Sequence, residues 1–374
     1  MSGQAGRTWR IAEGVVHVYR LFDVGDEVDL ARAEALLSAP RSRLRLERAQ
    51  GTTALEIPLP PLRVSLGART LPLPNGARAA AASAQVFDYG VVSILYKLPV
   101  EPGTPLAALV SLAEELVARP TAGLDAAARA ETQELARAIG PALTRPHAWE
   151  GVESYQVFLV HRFEEEVTAA EVAAGAPIAE LLLGETSAAP LSAGEREDVM
   201  KHAFSYLDED LAVVDWNSAF VLEPSRVGDV PELLEFATAQ LLELRYYDAL
   251  LDRELKSIYD EVGAPRRLIS VVTRRYVKLQ RKTAALLLEL SEMVERLENA
   301  VKIVGDFYLA RLYQSAVRRF RLPAWQESVL RKQRLLAEVN RTLNDAADRR
   351  RAELLEITII VLILWEILYA LLRR

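Results

Sequence analysis

Residues 229–262 read DVPELLEFATAQLLELRYYDALLDRELKSIYDEV, and this stretch divides the chain. Its apolar residues recur in steps of three and four, the signature of one long helix. It is acidic, with nine Asp or Glu against three Lys or Arg. Before it, short alternating segments and turn residues predict an α+β domain. After it, almost nothing but helical pattern remains.

Working backwards, residues 14–22 (GVVHVYRLF) are strand-like, and residues 28–37 have helical spacing with Asp26 or Asp29 as a cap. Residues 53–61 and 62–66 alternate apolar and polar side chains between prolines, as edge strands do. Pro72, Pro74, Asn75 and Gly76 predict a turn, and Asp88-Tyr89-Gly90 predicts a hairpin or bulge between residues 84–87 and 91–98. Residues 104–118 read as an amphipathic helix with Thr104 as N-cap and Pro105 at its first position. A second helix is expected over 124–139, a strand over 152–163, and short helices over 169–174, 178–183 and 195–203. A strand, turn and strand are expected over 204–222.

Working forwards, Gly263, Ala264 and Pro265 end the acidic helix. Residues 268–320 hold no proline and one glycine, Gly305, and the positions from Leu279 to Leu312 form a coiled-coil seam. Pro323 turns the chain, and residues 325–372 continue with Val329, Leu336 and Leu343 at intervals of seven. The second half therefore predicts an antiparallel helical hairpin running into an apolar tail.

That tail, residues 354–372, reads LLEITIIVLILWEILYALL, and sixteen of its nineteen residues are apolar. Nineteen helical residues span roughly 28 Å, about the thickness of a bilayer's hydrocarbon core. Arg349, Arg350 and Arg351 precede it, and Arg373 and Arg374 follow it. The expected lipid-facing residues are Leu354, Ile357, Ile360, Val361, Leu364, Trp365, Leu368 and Leu372. Glu356 and Glu366 oppose insertion: a central acidic residue costs about 2.5–3.5 kcal/mol, against roughly 0.3–0.6 returned by each Leu or Ile. Burial in an oligomer core is the competing reading. The arginine cluster places the bulk of the chain on the cytoplasmic side of a cytoplasmic membrane.

The net charge of -7 conceals an asymmetry. Residues 1–265 hold 23 Lys and Arg against 40 Asp and Glu, whereas residues 266–351 hold 20 against 9. The basic segment can neutralise the acidic helix, approach anionic lipid, or contact RNA or a ribosome without sequence specificity. A candidate basic surface comprises Arg267, Arg274, Arg275, Lys278, Arg281, Lys282, Arg349, Arg350 and Arg351. The chain has no cysteine, which excludes disulfides and thiolate metal sites. Its first residues hold no apolar signal segment and make a poor mitochondrial presequence. Abundant arginine and alanine suggest a bacterial source.

No phosphate-binding loop, GxSxG or HExxH occurs. His17, His147, His161 and His202 are far apart in sequence. Glu164–Glu166 and Asp208–Asp210 fit solvated loop charge better than a cation site. Asp208, Asp210 and Asp215 are the carboxylates that a metal-dependent enzyme at a membrane face would use. The expectation is a protein without catalysis, cofactor, metal or identified small-molecule substrate.

The segments VFDYGVV (86–92), LEFATAQLLELRYYDALLDREL (234–255) and VGDFYLARLY (304–313), with an apolar C-terminus entered through LLE, resemble the required-for-meiotic-nuclear-division family. This is a domain-of-unknown-function group found in bacteria, fungi and mitochondria, and the likeness runs from about Val15 to the C-terminus. It rests on Phe87, Asp88, Tyr89, Gly90, Arg245, Tyr246, Asp306 and Tyr308. The chain departs from it at Ser93-Ile94-Leu95-Tyr96, where relatives continue with a Val-Phe-Trp-like run. The resemblance implies a membrane-associated, oligomeric protein without known enzymatic activity. Mitochondrial relatives are tied to translation at the inner membrane.

The expected architecture is thus α+β: a flexible N-terminus (1–13), a mixed α/β domain (14–224), long helices with a basic coiled-coil hairpin (225–351), and a C-terminal transmembrane-like anchor (352–374). The expected role is a tail-anchored, homo-oligomeric scaffold or tether. Its expected partners are membrane lipid, a second copy of itself, and a ribosome or RNA.

Overall fold

The computed structural model describes residues 8–43, 55–117, 122–186, 190–225, 228–263, 269–300, 302–303 and 307–372. Arg267 and Asp306 lie outside the described residues, as do the side chains of Arg274, Arg275, Lys278, Arg350, Arg351, Leu354 and Leu372. The chain divides into two compact units: residues 1–246 with 296–325, and residues 247–295 with 326–374.

The first unit is built on strands β1 (Arg10–Asp23), β2 (Gly25–Val28), β3 (Arg41–Arg43), β4 (Leu55–Glu56), β5 (Leu62–Leu73), β6 (Gly76–Val86) and β7 (Val91–Val100). They are followed by β8 (Thr104–Pro105), β9 (Leu143–Pro146), β10 (Glu153–Phe163), β11 (Ala203–Phe204), β12 (Leu211–Val214), β13 (Ser218–Leu222) and β14 (Lys302–Ile303). Its shorter helices are α1 (Leu30–Leu36), α2 (Ala108–Val117), α3 (Ala122–Ala138), α4 (Ala169–Gly175), α5 (Ile178–Leu183) and α6 (Ala193–Met200). The long helices are α7 (Asp229–Gly263), α8 (Ile269–Ala300), α9 (Phe307–Arg319) and α10 (Leu322–Leu372).

Among the described residues, ten strands form one sheet in the order β11-β12-β13-β10-β1-β7-β6-β5-β3, with β8 attached to β1. All its pairings are antiparallel except β10 with β13. Strand alternation sends Val16, Val18 and Phe22 of β1 and Ile94, Tyr96 and Leu98 of β7 to one face. There they form the apolar core, which α3 and α5 cover. Arg20 enters the same face, buried, and is matched by Asp125 of α3 at 2.7 Å.

The opposite face mixes apolar side chains, Leu21 of β1 and Val91 and Leu95 of β7, with polar ones. It carries His17, Tyr19 and Asp23 of β1, Ser93 and Lys97 of β7, and Gln85 of β6. The first half of α7 lies on it: Arg63 of β5 pairs with Glu232, and Phe87 meets Phe236 edge-on. Every residue from Leu233 to Leu244 is buried, because the sheet covers one side of α7 and α9 the other. Tyr313 of α9 donates to Gln240, whose amide donates to Leu297 O.

In the second unit, Thr283 of α8 donates to Asn340 of α10, and Gln333 of α10 donates to Ser291 of α8, so these helices run antiparallel as expected. Leu286, Leu290, Met293, Val329 and Leu336 are buried along that seam. The acidic second half of α7 joins them: Lys282 pairs with Glu254 and Lys332 with both Asp248 and Asp252. Two lysines of the basic helices, Lys282 and Lys332, thus pair with carboxylates of the acidic one. The seam is not continuous over residues 268–320. Lys302–Ile303 form a strand paired with β4, because β-branched residues and Gly305 weaken a helix there.

One further expectation is corrected. Thr104 does not cap a helix; Thr104–Pro105 pair with Ile11 and Arg10, and α2 begins at Ala108. Among the described residues no helix is long and apolar enough to cross a membrane. Residues 355–369 are an exposed apolar end of α10. Asp29, rather than Asp26, caps α1 through the backbone N–H groups of Ala31 and Arg32.

Candidate functional site

The strongest concentration of ionisable chemistry lies where β1 ends. β1 delivers Asp23 to the mixed face, the corner Val24-Gly25 leads into β2, and β2 holds Asp26 and Glu27. The Phe87-Asp88-Tyr89-Gly90 turn clasps this corner: Val24 N donates to Gly90 O at 3.0 Å, and Val28 N to Asp88 O at 2.7 Å. Gly90 sits at φ +88°, and a Cβ there would fall 1.5 Å from Gly25 O. Only glycine allows the two backbones this approach.

The segment after β9 brings in His147. Its Nε2 is 2.8 Å from Asp23 Oδ1, and its Nδ1 is 3.4 Å from Asp26 Oδ1. Burial pulls its pKa down, but the two carboxylates outweigh burial and raise it to about 9. At neutral pH the ring is an imidazolium bridging two aspartates. Tyr246 stacks on it with centroids 4.5 Å apart, and Trp149 meets Tyr246 edge-on. Arg145 adds an ion pair to Asp26, and Arg296 donates to Asp26 O and Glu27.

From above, α7 contributes Glu243, which is 1% exposed. Burial, and then repulsion from Asp23 and Asp26, push its pKa well above the ordinary carboxyl value. Burial likewise raises Asp23, against the hydrogen bond from His147. Asp23 Oδ2 and Glu243 Oε2 are buried without hydrogen-bond partners. Nearby on the same face, burial raises Glu235 to about 7. The arrangement can hold a proton among carboxyl groups that an imidazolium keeps apart. Among the described residues no group of His, Asp and Glu has the geometry to hold a metal ion.

A cavity of about 640 Å³ opens beside this cluster, between α3 and residues 143–149. Phe22, Leu143 and Trp149 give it apolar walls, Asp23 and His147 line its inner side, and Arg129 and Arg137 border it.

The residues singled out by resemblance are partly united here. Phe87, Asp88, Tyr89, Gly90 and Tyr246 all belong to the cluster. Arg245 lies apart, ion-paired with Glu153 and 5.7 Å from the Trp325 ring. Tyr308 packs on Tyr206. The carboxylates considered for an enzyme do not converge. Asp210 accepts from Tyr206 N and Leu207 N within its own turn, and Asp215 pairs with Arg319. His17 is buried and neutral, with its pKa lowered to about 3 by burial, and His161 bonds Glu223 O. Sequence reading missed Asp23, Asp26, His147 and Glu243. The available signal was Glu243 and Glu235 within a segment apolar on every side.

Comparison with known proteins places this sheet domain. The family described as "Uncharacterized protein MJ0711, N-terminal domain" matches residues 13–229. The uncharacterized protein MJ0711 of Methanocaldococcus jannaschii is 24% identical over 182 residues, covering 46% of this chain and 53% of that protein. The chain therefore spans about half the length of the curated relative it matches. No solved structure matches it. With well over half its length inside the family's bounds, the chain belongs to the MJ0711 N-terminal domain family, a group of unknown function.

Proposed function

We propose that the protein is a non-catalytic scaffold that works at a lipid surface, where the end of α10 buries its apolar residues. One observation carries this reading. Twelve large apolar side chains between Leu355 and Tyr369 are exposed, and those from Ile359 to Trp365 follow one another around the full circumference of the helix. Burying them would release on the order of 15 kcal/mol at the usual transfer value per side chain. An apolar patch of that extent is a binding surface. The flanking Arg349–Arg351 and Arg373–Arg374 suit anionic headgroups. Within lipid, Glu366 is best placed against a second copy of the tail, which supports self-association.

The resemblance to the required-for-meiotic-nuclear-division family supports the same reading and suggests translation at a membrane as the process served. Direct contact with a ribosome or RNA has narrower support. Arg281 is exposed and has no acidic partner among the described residues, and Lys282 beside it is committed to Glu254.

Flotation with vesicles containing anionic lipid tests the proposal. The full chain is expected to float, and a chain ending at Arg351 to remain at the bottom of the gradient. Equal behaviour of the two would overturn it.

A further inference from the structure

The cavity beside the His147 cluster has a composition that selects its occupant. Its size is that of sites for small organic molecules rather than for a few waters. Arg129 is held rigidly: its guanidinium lies 4.8 Å from the Phe22 ring centroid and donates to Trp149 O and Glu150 O. These acceptors are neutral, so its charge has no carboxylate to balance it among the described residues. Arg137, at the mouth, donates only to Gln133 O among the described residues. Trp149 supplies flat apolar surface, and Phe22, covered by Arg129, backs the wall. Asp23, lining the inner side, keeps one buried oxygen without a donor.

Unbalanced guanidinium charge, aromatic walls and one deep acceptor describe a ligand with three parts. It has an acidic group for the arginines, a planar ring for Trp149, and an N–H donor for Asp23 Oδ2. We propose that this cavity binds a planar heteroaromatic anion of the nucleoside monophosphate class. The base amino group reaches Asp23 and the phosphate lies toward Arg129 and Arg137. The site belongs to the family domain and is independent of the lipid-binding end of α10, so either proposal can fail without the other.

Calorimetric titration of the full chain with AMP tests it, with adenosine and inorganic phosphate as separate titrants. One AMP per chain is expected, with each fragment at least tenfold weaker because ring and charge both contribute. Ala136→Trp fills the cavity and is expected to abolish binding. Arg137→Glu, on the exposed surface where folding is not at stake, is expected to weaken AMP by about tenfold. No heat at millimolar AMP, phosphate alone binding as tightly as AMP, or unchanged affinity in Arg137→Glu would overturn the proposal.

Discussion

His147 and Asp23, 124 positions apart in the chain, meet at 2.8 Å between Nε2 and Oδ1, with Asp26 on the other ring nitrogen. This contact ties the segment after β9 to the end of β1. The folded His147 pKa of about 9 lies above its ordinary 6.5. Its contribution to stability is therefore complete below about pH 6.5 and lost as pH rises through 9. Chemical denaturation from pH 6 to 10 should show this loss in the natural chain. His147→Gln should be less stable at pH 6 and lack that part of the decline; an identical decline would refute the assignment.

Glu235 changes stability in the same direction, over a lower pH range. Its pKa is raised from 4.5 to about 7, so the folded chain binds this proton more tightly than the unfolded one. Its ionisation costs stability progressively as pH climbs from 4.5 through 7. Glu235→Gln should be more stable than the natural chain at pH 8, by on the order of 3 kcal/mol, with the gap mostly closed at pH 5. Melting curves at the two pH values decide it.

Gly90→Ala combines a left-handed backbone with a Cβ 1.5 Å from Gly25 O. It should destabilise the sheet domain by more than about 3 kcal/mol. Gly76→Ala, at φ +126° but with open space around its Cβ, should cost less. Comparable losses would mean that backbone strain, not the approach to β2, governs Gly90.

In the helical unit, Lys332 serves Asp248 and Asp252 of α7 together. Lys332→Met keeps the stem and removes the charge, leaving the half-buried Asp248 with Ser328 Oγ as a donor but no cation. A loss of about 1–3 kcal/mol is expected by denaturant titration. No change would mean that solvent already satisfies these carboxylates.

Much of this architecture is legible in the sequence because local signals agree with packing. The alternation of β1, β7 and β10, the Asp88-Tyr89-Gly90 turn and the bounds of α7 all follow from side-chain period and turn chemistry. The misreadings share a cause. Thr104-Pro105 carries a good helix-start signal, but β1 offers it strand partners, and long-range pairing prevails. Lys302–Ile303 is likewise drawn to β4. The candidate site is scarcely legible, since Asp23, His147 and Glu243 stand on three elements far apart in the chain. Their meaning arises from burial, which no local pattern records.

The end of α10 is proposed to be held in lipid by its exposed apolar side chains. Membrane fractionation with carbonate extraction, comparing the full chain with one ending at Arg351, tests it most directly. The account predicts that the full chain alone stays in the membrane pellet. Release of both into the soluble fraction, with the full chain as a discrete oligomer, would contradict it and make the tail an assembly helix.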